Sequence, residues 1–213
     1  MPSTPTFDLR EGVVTGLDPH LEQLGFKRRR RSFAWFRHPT SGVTQSIHLN
    51  FGPTHRTSRL DIIPTLATGI ETVECELVAA GVKRPAKDAC SFAYQLHTLL
   101  RCEYVAYTDQ GPEPMVKRLI ADIQRHGLPR LEHLSSLETV ARLMLSAQPE
   151  DWPVTWASMR ARLLPLVLAL VGRTKEAHVW LARLRNDLSG RDQLRPDIEH
   201  FAAWFVDRFG QAA

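Results

Sequence analysis

The most chemically distinctive residues of this chain are a run of cations followed by aromatic side chains. In the stretch GFKRRRRSFAWFRHPTSG, Gly25 to Gly42, five consecutive cations are followed by Phe33, Trp35 and Phe36. Guanidinium groups bind carboxylate and phosphate oxygens through paired hydrogen bonds, and aromatic rings stack on ligands. The stretch therefore predicts a surface that recognises acidic groups.

Three interpretations of this basic segment are open. On one extended strand, Phe26–Arg37, Arg29 and Trp35 would share one face, and Arg28 and Phe36 the other. Cations would thus lie on both faces, so the first half of the strand would project past the sheet. Charge there would either protect a sheet edge from unwanted pairing or bind a protein or a nucleic acid. A protein partner is favoured over nucleic acid, because each half of the chain carries only +2 and nucleic-acid binders usually have a broader basic footprint.

The segment Val43–Phe51 offers a second polar surface. Its apolar side chains alternate with Ser46, His48 and Asn50, which predicts one buried face and one wet face. The wet face would contact a partner or, in an enzyme, would supply an imidazole as acid or base. The candidate binding residues are Arg28, Arg29, Arg30, Arg31, Phe33, Trp35, His48 and Asn50.

Other reactive residues match no familiar site. His48, His55 and Asp61 do not have the spacing of a compact metal motif. Cys102 with His97 lacks an orienting acid, so a packed, inert thiol is the better interpretation. The sequence contains no GxSxG, P-loop, GxGxxG or HExxH motif. We therefore expect a protein that is not an enzyme, with no catalytic residue, cofactor or metal.

The elements that would carry these residues change character along the chain. Residues 1–110 predict an α+β sheet subdomain: a helix at 7–24, a β-hairpin formed by 26–37 and 43–51, a strand at 59–68, a helix at 71–80 and, from its aromatic residues, β-structure over 91–108. Residues 111–213 predict a helical subdomain, with Ser135 and Glu138 as a capping box, a helix from about 154 that Pro165 kinks or splits, and later helices opened near Thr174 and Pro196. Strands followed by helices predict an α+β fold, with the N-terminal helix packed on a mainly antiparallel sheet of about four strands and a C-terminal helical layer.

The cysteine content and the ends of the chain indicate a compartment. Cys75, Cys90 and Cys102 are odd in number and share no CxxC spacing, which suits a reducing cytoplasm. No secretory signal is visible at the N-terminus, and the longest apolar run is too short to span a bilayer. We expect a soluble, cytoplasmic protein that does not engage a membrane.

Three segments together resemble an uncharacterised bacterial family of domain-of-unknown-function proteins. They are LEQLGFKRRRRSFAW (21–35), QSIHLNFG (45–52) and IQRHGLPRLEHLSSLE (123–138), within a resemblance that covers about residues 7–146. The resemblance implies an α+β domain with no known catalytic residues or cofactor, and some such domains look like immunity proteins that neutralise a toxin. The expected function is thus non-catalytic binding of a protein, with a cognate toxin as the expected partner and nucleic-acid binding as the alternative.

Overall fold

A computed structural model describes residues 5–30, 32–52, 58–84, 86–154, 157–187 and 195–210. The helices are α1 (Pro5–Gln23), α2 (Glu71–Ala79), α3 (Leu96–Leu100), α4 (Glu113–Asp122), α5 (Leu128–His133), α6 (Leu137–Leu145), α7 (Ala157–Leu170), α8 (Thr174–Asp187) and α9 (Arg195–Phe209). A π-helical turn, Ile123–Gly127, joins α4 to α5, and a 3-10 turn occupies Pro149–Asp151. The strands are β1 (Lys27–Arg28), β2 (Ala34–Thr40), β3 (Val43–Phe51), β4 (Arg59–Ile70), β5 (Phe92–Gln95) and β6 (Tyr104–Tyr107).

The strands form one six-stranded sheet in the order β1-β2-β3-β4-β5, and β6 also pairs with β4. Strands β1 and β2, β2 and β3, and β4 and β6 pair antiparallel. An N-terminal helix, a mainly antiparallel sheet and C-terminal helices confirm the predicted α+β class. The sheet has more strands than expected because residues 26–37 contain two strands and residues 91–108 contribute two short ones.

The described residues divide into two compact units. Residues from 1–68 and 93–132 belong to the first unit, and residues from 69–92 and 133–213 belong to the second. In the first unit, Val13, Val14, Leu17 and Leu21 form the fully buried stripe of α1. They belong to a core that also contains Trp35 and Ile47 of the sheet and Leu119 of α4. A helix stripe against one face of a sheet removes both apolar surfaces from water.

Two predicted details were wrong for local reasons. Residues 96–100 are helical rather than extended, and this short helix ends where Arg101 adopts a left-handed conformation (φ 50°). The cap of α6 is Ser136, whose Oγ accepts the backbone N–H of Thr139, and not Ser135. Of the two alternatives for Pro165, a split is excluded because α7 continues through it, and the kink stays a prediction.

The core of the first unit also holds a polar chain beneath β2. The Arg37 guanidinium donates from Nε to Oε1 of Gln45 (2.7 Å) and from Nη1 to the Leu24 carbonyl (3.1 Å). Gln45 is buried and donates in turn to the carbonyl oxygen of Leu131 (2.9 Å). Burial lowers the pKa of Arg37, and the charge of Glu132 partly opposes that shift. These bonds satisfy the buried polar atoms and connect β2, β3 and α5.

One carboxylate connects α1 to the first two strands. Asp18 accepts the indole N–H of Trp35 through Oδ1 (2.8 Å) and pairs with Nη2 of Arg28 through Oδ2 (3.1 Å). The Trp35 side chain has no exposed surface, so its N–H depends on this acceptor. A buried tryptophan needs such a partner, and a partner from α1 fixes the helix against β1 and β2.

Replacing Asp18 should therefore destabilise the first unit. In Asp18→Ala the buried indole N–H and the Arg28 cation lose their partner, which should lower the free energy of unfolding by about 1–3 kcal/mol. Urea denaturation followed by circular dichroism measures the loss. Glu22→Ala, one turn later on the exposed side of α1, should change stability by less than about 0.5 kcal/mol. Equal stability of Asp18→Ala and the wild type would show that this carboxylate does not hold the strands.

Candidate docking surface

The basic segment is a tight hairpin at the edge of the sheet. Gly25 (φ 81°) ends α1 with a pair of backbone bonds, from Gly25 N to Glu22 O (2.9 Å) and from Phe26 N to Leu21 O (2.9 Å). This is the Schellman pattern, and it turns the chain directly into β1. Arg29 N then donates to Ala34 O (3.0 Å), which extends the pairing of β1 with β2. We call Lys27–Phe33 the basic hairpin.

Chain reversal within the basic hairpin changes which side chains share a face. Lys27 pairs with Phe36 and Arg28 pairs with Trp35. Directly opposed residues of an antiparallel pair project to the same side of the sheet. Arg29 continues the alternation and so lies with Lys27 and Phe36. The sequence-based assignment, with Arg29 and Trp35 on one face of a single strand, was wrong because the chain turns between them.

The cations of the basic hairpin are exposed, but they are not equivalent. Lys27, Arg28, Arg29 and Arg30 are all exposed residues, and Arg31 lies outside the described residues. Arg28 is held by Asp18 on the α1 side. Arg29 lies over the ring of Phe36, with 5.1 Å from its guanidinium carbon to the ring centroid. Stacking on an aromatic ring orients an arginine without neutralising it.

Phe36 links Arg29 to a polar pair on β3. The ring of His48 meets the ring of Phe36 edge-on, with centroids 5.5 Å apart. His48 Nε2 lies 2.9 Å from Oγ of Ser46, which has no exposed surface. A continuous series of contacts thus runs from the residue after β1 across β2 to β3. It joins Arg29, Phe36, His48 and Ser46, and we call it the Arg29–His48 cluster.

The cluster places the imidazole in an environment that disfavours its charge. Burial lowers the pKa of His48 from the ordinary histidine value of 6.5, and the positive charge of Arg29 lowers it further. Both effects oppose protonation, because burial removes water from the cation and Arg29 repels it. The surroundings of His48 therefore favour its neutral form.

The aromatic residue on this surface is Phe36, rather than Phe33 or Trp35. Trp35 is fully buried and its side chain cannot contact a partner. Phe33 is half-buried, packs edge-on to Phe51 (5.1 Å between centroids) and carries the guanidinium of Arg10 over its ring. Phe36 was assigned to the opposite face from Arg29 because the turn at 29–33 was not anticipated.

The face of β3 predicted to be wet is mostly covered. Ser46 is buried, His48 is half-buried, and only Asn50 of the three is exposed. The Asn50 amide donates to Oγ1 of Thr65 on β4 (3.4 Å). Alternation correctly placed Ile47 and Leu49 in the core, but it could not show that Ser46, which lies opposite Phe36, is buried as well.

A cleft runs along the other side of the basic hairpin. It measures about 630 Å³ and is lined by Asp18 and Glu22 of α1, by Gly25 and Phe26, and by Lys27, Arg28 and Arg30. Because Asp18 already pairs with Arg28, the cations at the mouth of this cleft are Lys27 and Arg30. No ion pair of either residue is recorded among the described residues.

Reactive groups elsewhere are dispersed or inaccessible. Among the described residues, no group of three or more His, Cys, Asp or Glu side chains is placed to share a metal ion, and His55 lies outside them. The Ser46–His48 pair has the spacing of a nucleophile and its base, but the buried Ser46 hydroxyl cannot be reached by a substrate. Cys102 is half-buried, and its recorded bond to His97 joins backbone atoms.

Comparison with known proteins gives no relative from which to transfer a role. No protein-family model, curated protein or solved structure matches this chain. Within the described residues, no helix combines the length and apolar character needed to cross a membrane.

The half-buried imidazole of His48 should make stability depend on pH. Because the pKa of His48 is lower in the folded than in the unfolded chain, the unfolded chain takes up the proton first as pH falls below 6.5. The free energy of unfolding should therefore decrease between pH 7.5 and pH 5.5, and His48→Gln should decrease less over the same range. Urea titrations at the two pH values measure this difference. His38→Gln, which removes an exposed histidine of β2, should keep the wild-type decrease, and an unchanged decrease in His48→Gln would contradict the assignment.

Proposed function

We propose that this chain is a non-catalytic protein-binding protein, and that the basic hairpin with the Arg29–His48 cluster is its docking surface for an acidic partner. The observation that carries the proposal is the orientation of Arg29 over Phe36 at the exposed edge of the sheet. Arginine and aromatic side chains are enriched among the residues that dominate binding energy at protein interfaces.

Hydrogen bonds of the basic hairpin support this proposal. Its base is held by the Asp18 bonds to Trp35 and Arg28, and Ser32 N donates to Arg29 O (3.1 Å). Such bonds restrain the backbone that carries Lys27, Arg28 and Arg29, so less conformational entropy is lost when a partner binds.

The local charge also favours an acidic partner. Lys27, Arg28, Arg29 and Arg30 are consecutive, exposed cations, and Asp18 pairs with Arg28. A positive surface of this kind speeds association with acidic proteins and penalises basic ones. Elsewhere arginines are paired within the fold, as in the two-bond contacts of Arg185 with Glu199 and of Arg208 with Glu76.

In its finer form, the proposal is that this chain is an immunity protein of the bacterial cytoplasm. Its acidic partner would then be a cognate toxin. The support for this form is the resemblance of residues 21–35, 45–52 and 123–138 to a family with immunity-like members, and three cysteines that form no disulfide in the described chain. Neutralisation requires only tight binding, which a preformed basic surface favours. Co-purification with the product of an adjacent toxin-like reading frame would support this form, and it is a test separate from acidic docking.

Nucleic-acid binding is a second candidate, favoured by the exposed cations that share a face with Phe36. It makes a quantitative prediction for a labelled (dT)20 oligonucleotide. If the four described cations contact phosphates, log affinity should fall with log salt with a slope of about −3, at about −0.7 per contact for a single strand. If the oligonucleotide does not bind at about 20 mM salt, this candidate is eliminated.

Charge reversal at the basic hairpin tests acidic docking. Arg29→Glu with Arg30→Glu should weaken binding of a fluorescein-labelled ten-residue polyglutamate peptide by about tenfold or more at low salt, because two attractive contacts become repulsive. Fluorescence anisotropy measures the affinity. The matched control, Lys117→Glu with Arg142→Glu, makes the same change in net charge at exposed positions of α4 and α6.

The two double variants separate a local site from a general charge effect. The control should bind the peptide within about twofold of the wild type, since screening limits the influence of remote exposed charges. Equal weakening in both variants would mean that net charge, rather than the basic hairpin, attracts the peptide. Failure of the wild type to bind polyglutamate at low salt would rule out the docking surface.

A further inference from the structure

Building on the proposed docking function, we infer that the cleft lined by α1 and the basic hairpin binds a mixed-charge segment of the acidic partner. In this site Lys27 and Arg30 bind a carboxylate of the segment, and Glu22 binds a lysine or arginine of the same segment. The cleft measures about 630 Å³, and ligand sites usually measure about 300–1,000 Å³. It is therefore large enough to hold the side chains of a short segment.

Part of the charge that lines the cleft is already used within the fold. Oδ1 of Asp18 accepts the indole N–H of Trp35 (2.8 Å), and Oδ2 pairs with Nη2 of Arg28 (3.1 Å). Both oxygens of this carboxylate therefore have a partner, and so does the Arg28 guanidinium. A ligand that displaced these contacts would leave the buried N–H of Trp35 without its acceptor, which is costly.

The charged groups left for a ligand belong to two different elements. Glu22 lies in the last turn of α1, while Lys27 lies in β1 and Arg30 in the turn that follows it. All three are exposed, and no ion pair of any of them is recorded among the described residues. The C-terminal end of a helix carries a partial negative charge, which adds to the charge of Glu22. The cleft thus receives negative charge from α1 and positive charge from the basic hairpin.

Gly25 keeps the end of α1 open to a ligand. It lines the cleft, and its φ of 81° lies in the left-handed region that favours glycine. Beyond its chain neighbours, a β-carbon at this position would meet no heavy atom of the described chain within 4 Å. The backbone at Gly25 is therefore accessible to a segment that reaches from Glu22 to Lys27.

Charges of both signs in one cleft select the charge pattern of a ligand as well as its net charge. Lys27 and Arg30 attract an all-glutamate segment, but Glu22 repels it. A segment that carries a lysine among its glutamates gains a contact with Glu22 instead. Repulsion of the wrong ligand contributes to specificity as much as attraction of the right one. Glu22 is thus a specificity-determining residue of the docking surface.

The test compares two fluorescein-labelled ten-residue peptides at low salt, all-glutamate and EEKKEEKKEE, by fluorescence anisotropy. In Glu22→Gln, affinity should increase about twofold for the all-glutamate peptide and decrease about twofold for the mixed peptide, as expected for one exposed charge pair. The opposite signs are decisive, because a general gain of positive charge would increase affinity for both anionic peptides. Lys27→Gln should weaken binding of both peptides, since both supply carboxylates.

The matched control is Glu113→Gln, which makes the same change in charge at an exposed residue of α4. Its neighbour Pro112 packs beside Gly12, in the other half of α1 from Glu22. This variant should not weaken binding of the mixed peptide, because it removes no contact in the cleft.

NMR of the wild type locates the bound peptide without any substitution. The amide of Gly25, which lines the cleft, should change its chemical shift when the mixed peptide is added. The amide of Gly42, in the turn between β2 and β3, should stay unchanged.

The outcomes separate this inference from the function on which it rests. Affinity changes of the same sign for both peptides in Glu22→Gln, unweakened binding in Lys27→Gln, or an unchanged Gly25 shift in a bound complex would each overturn the inference. The docking surface would still stand if binding depended on Arg29 and Arg30. If neither peptide binds the wild type at low salt, both the inference and the docking surface are wrong. If circular dichroism shows that a variant is unfolded, the Gly25 shift of the wild type decides the matter.

Discussion

The arrangement of the basic hairpin depends on a single acceptor, the Asp18 carboxylate. One of its oxygens satisfies the buried indole of Trp35, and the other pairs with Arg28 across the first strand pair. Because Trp35 and Arg28 are directly opposed in β1 and β2, this contact also fixes the register in which Lys27 meets Phe36. The surface position of Arg29 thus follows from a contact made inside the fold. The same local geometry therefore sets both a hydrogen bond in the core and the position of an exposed binding group.

Packing on the inner face of the sheet supports this arrangement from a second direction. Arg37 lies on the same face as Trp35, stacks over Phe26 at 4.5 Å and is tied through Gln45 to the carbonyl of Leu131. An arginine is costly to bury unless its donors are used, and here Leu24 after α1, Gln45 of β3 and Leu131 of α5 supply a partner or the route to one. Strand β2 therefore has an arginine contact on each of its two faces. On the inner face Arg37 hydrogen-bonds within the fold, and on the other face the exposed Arg29 lies over Phe36.

Much of the fold followed from periodicity, because apolar stripes of period 3.6 and 2 reflect burial directly. The stripe at Val14, Leu17 and Leu21 and the alternation of Ile47 and Leu49 both identified core faces. The candidate site was less accessible to such reasoning. Face assignments depend on where a strand stops, and a two-residue strand such as β1 has no periodicity to read. Consequently Trp35 was expected at the surface and Phe36 was overlooked, although the cations themselves were correctly expected to be exposed.

The π-helical turn at Ile123–Gly127 sets the angular phase of the helix that follows it. Residues four apart advance by about 40° around a straight α-helix, so a long series at that spacing drifts away from the core. The wider π turn offsets the drift, and Ile123, Gly127 and Leu131 all stay buried. With regular α geometry over the eight residues from Ile123 to Leu131, that drift would amount to about 80°. Leu131 would then turn away from the core and carry its carbonyl away from Gln45, so the geometry of this turn matters as much as its composition.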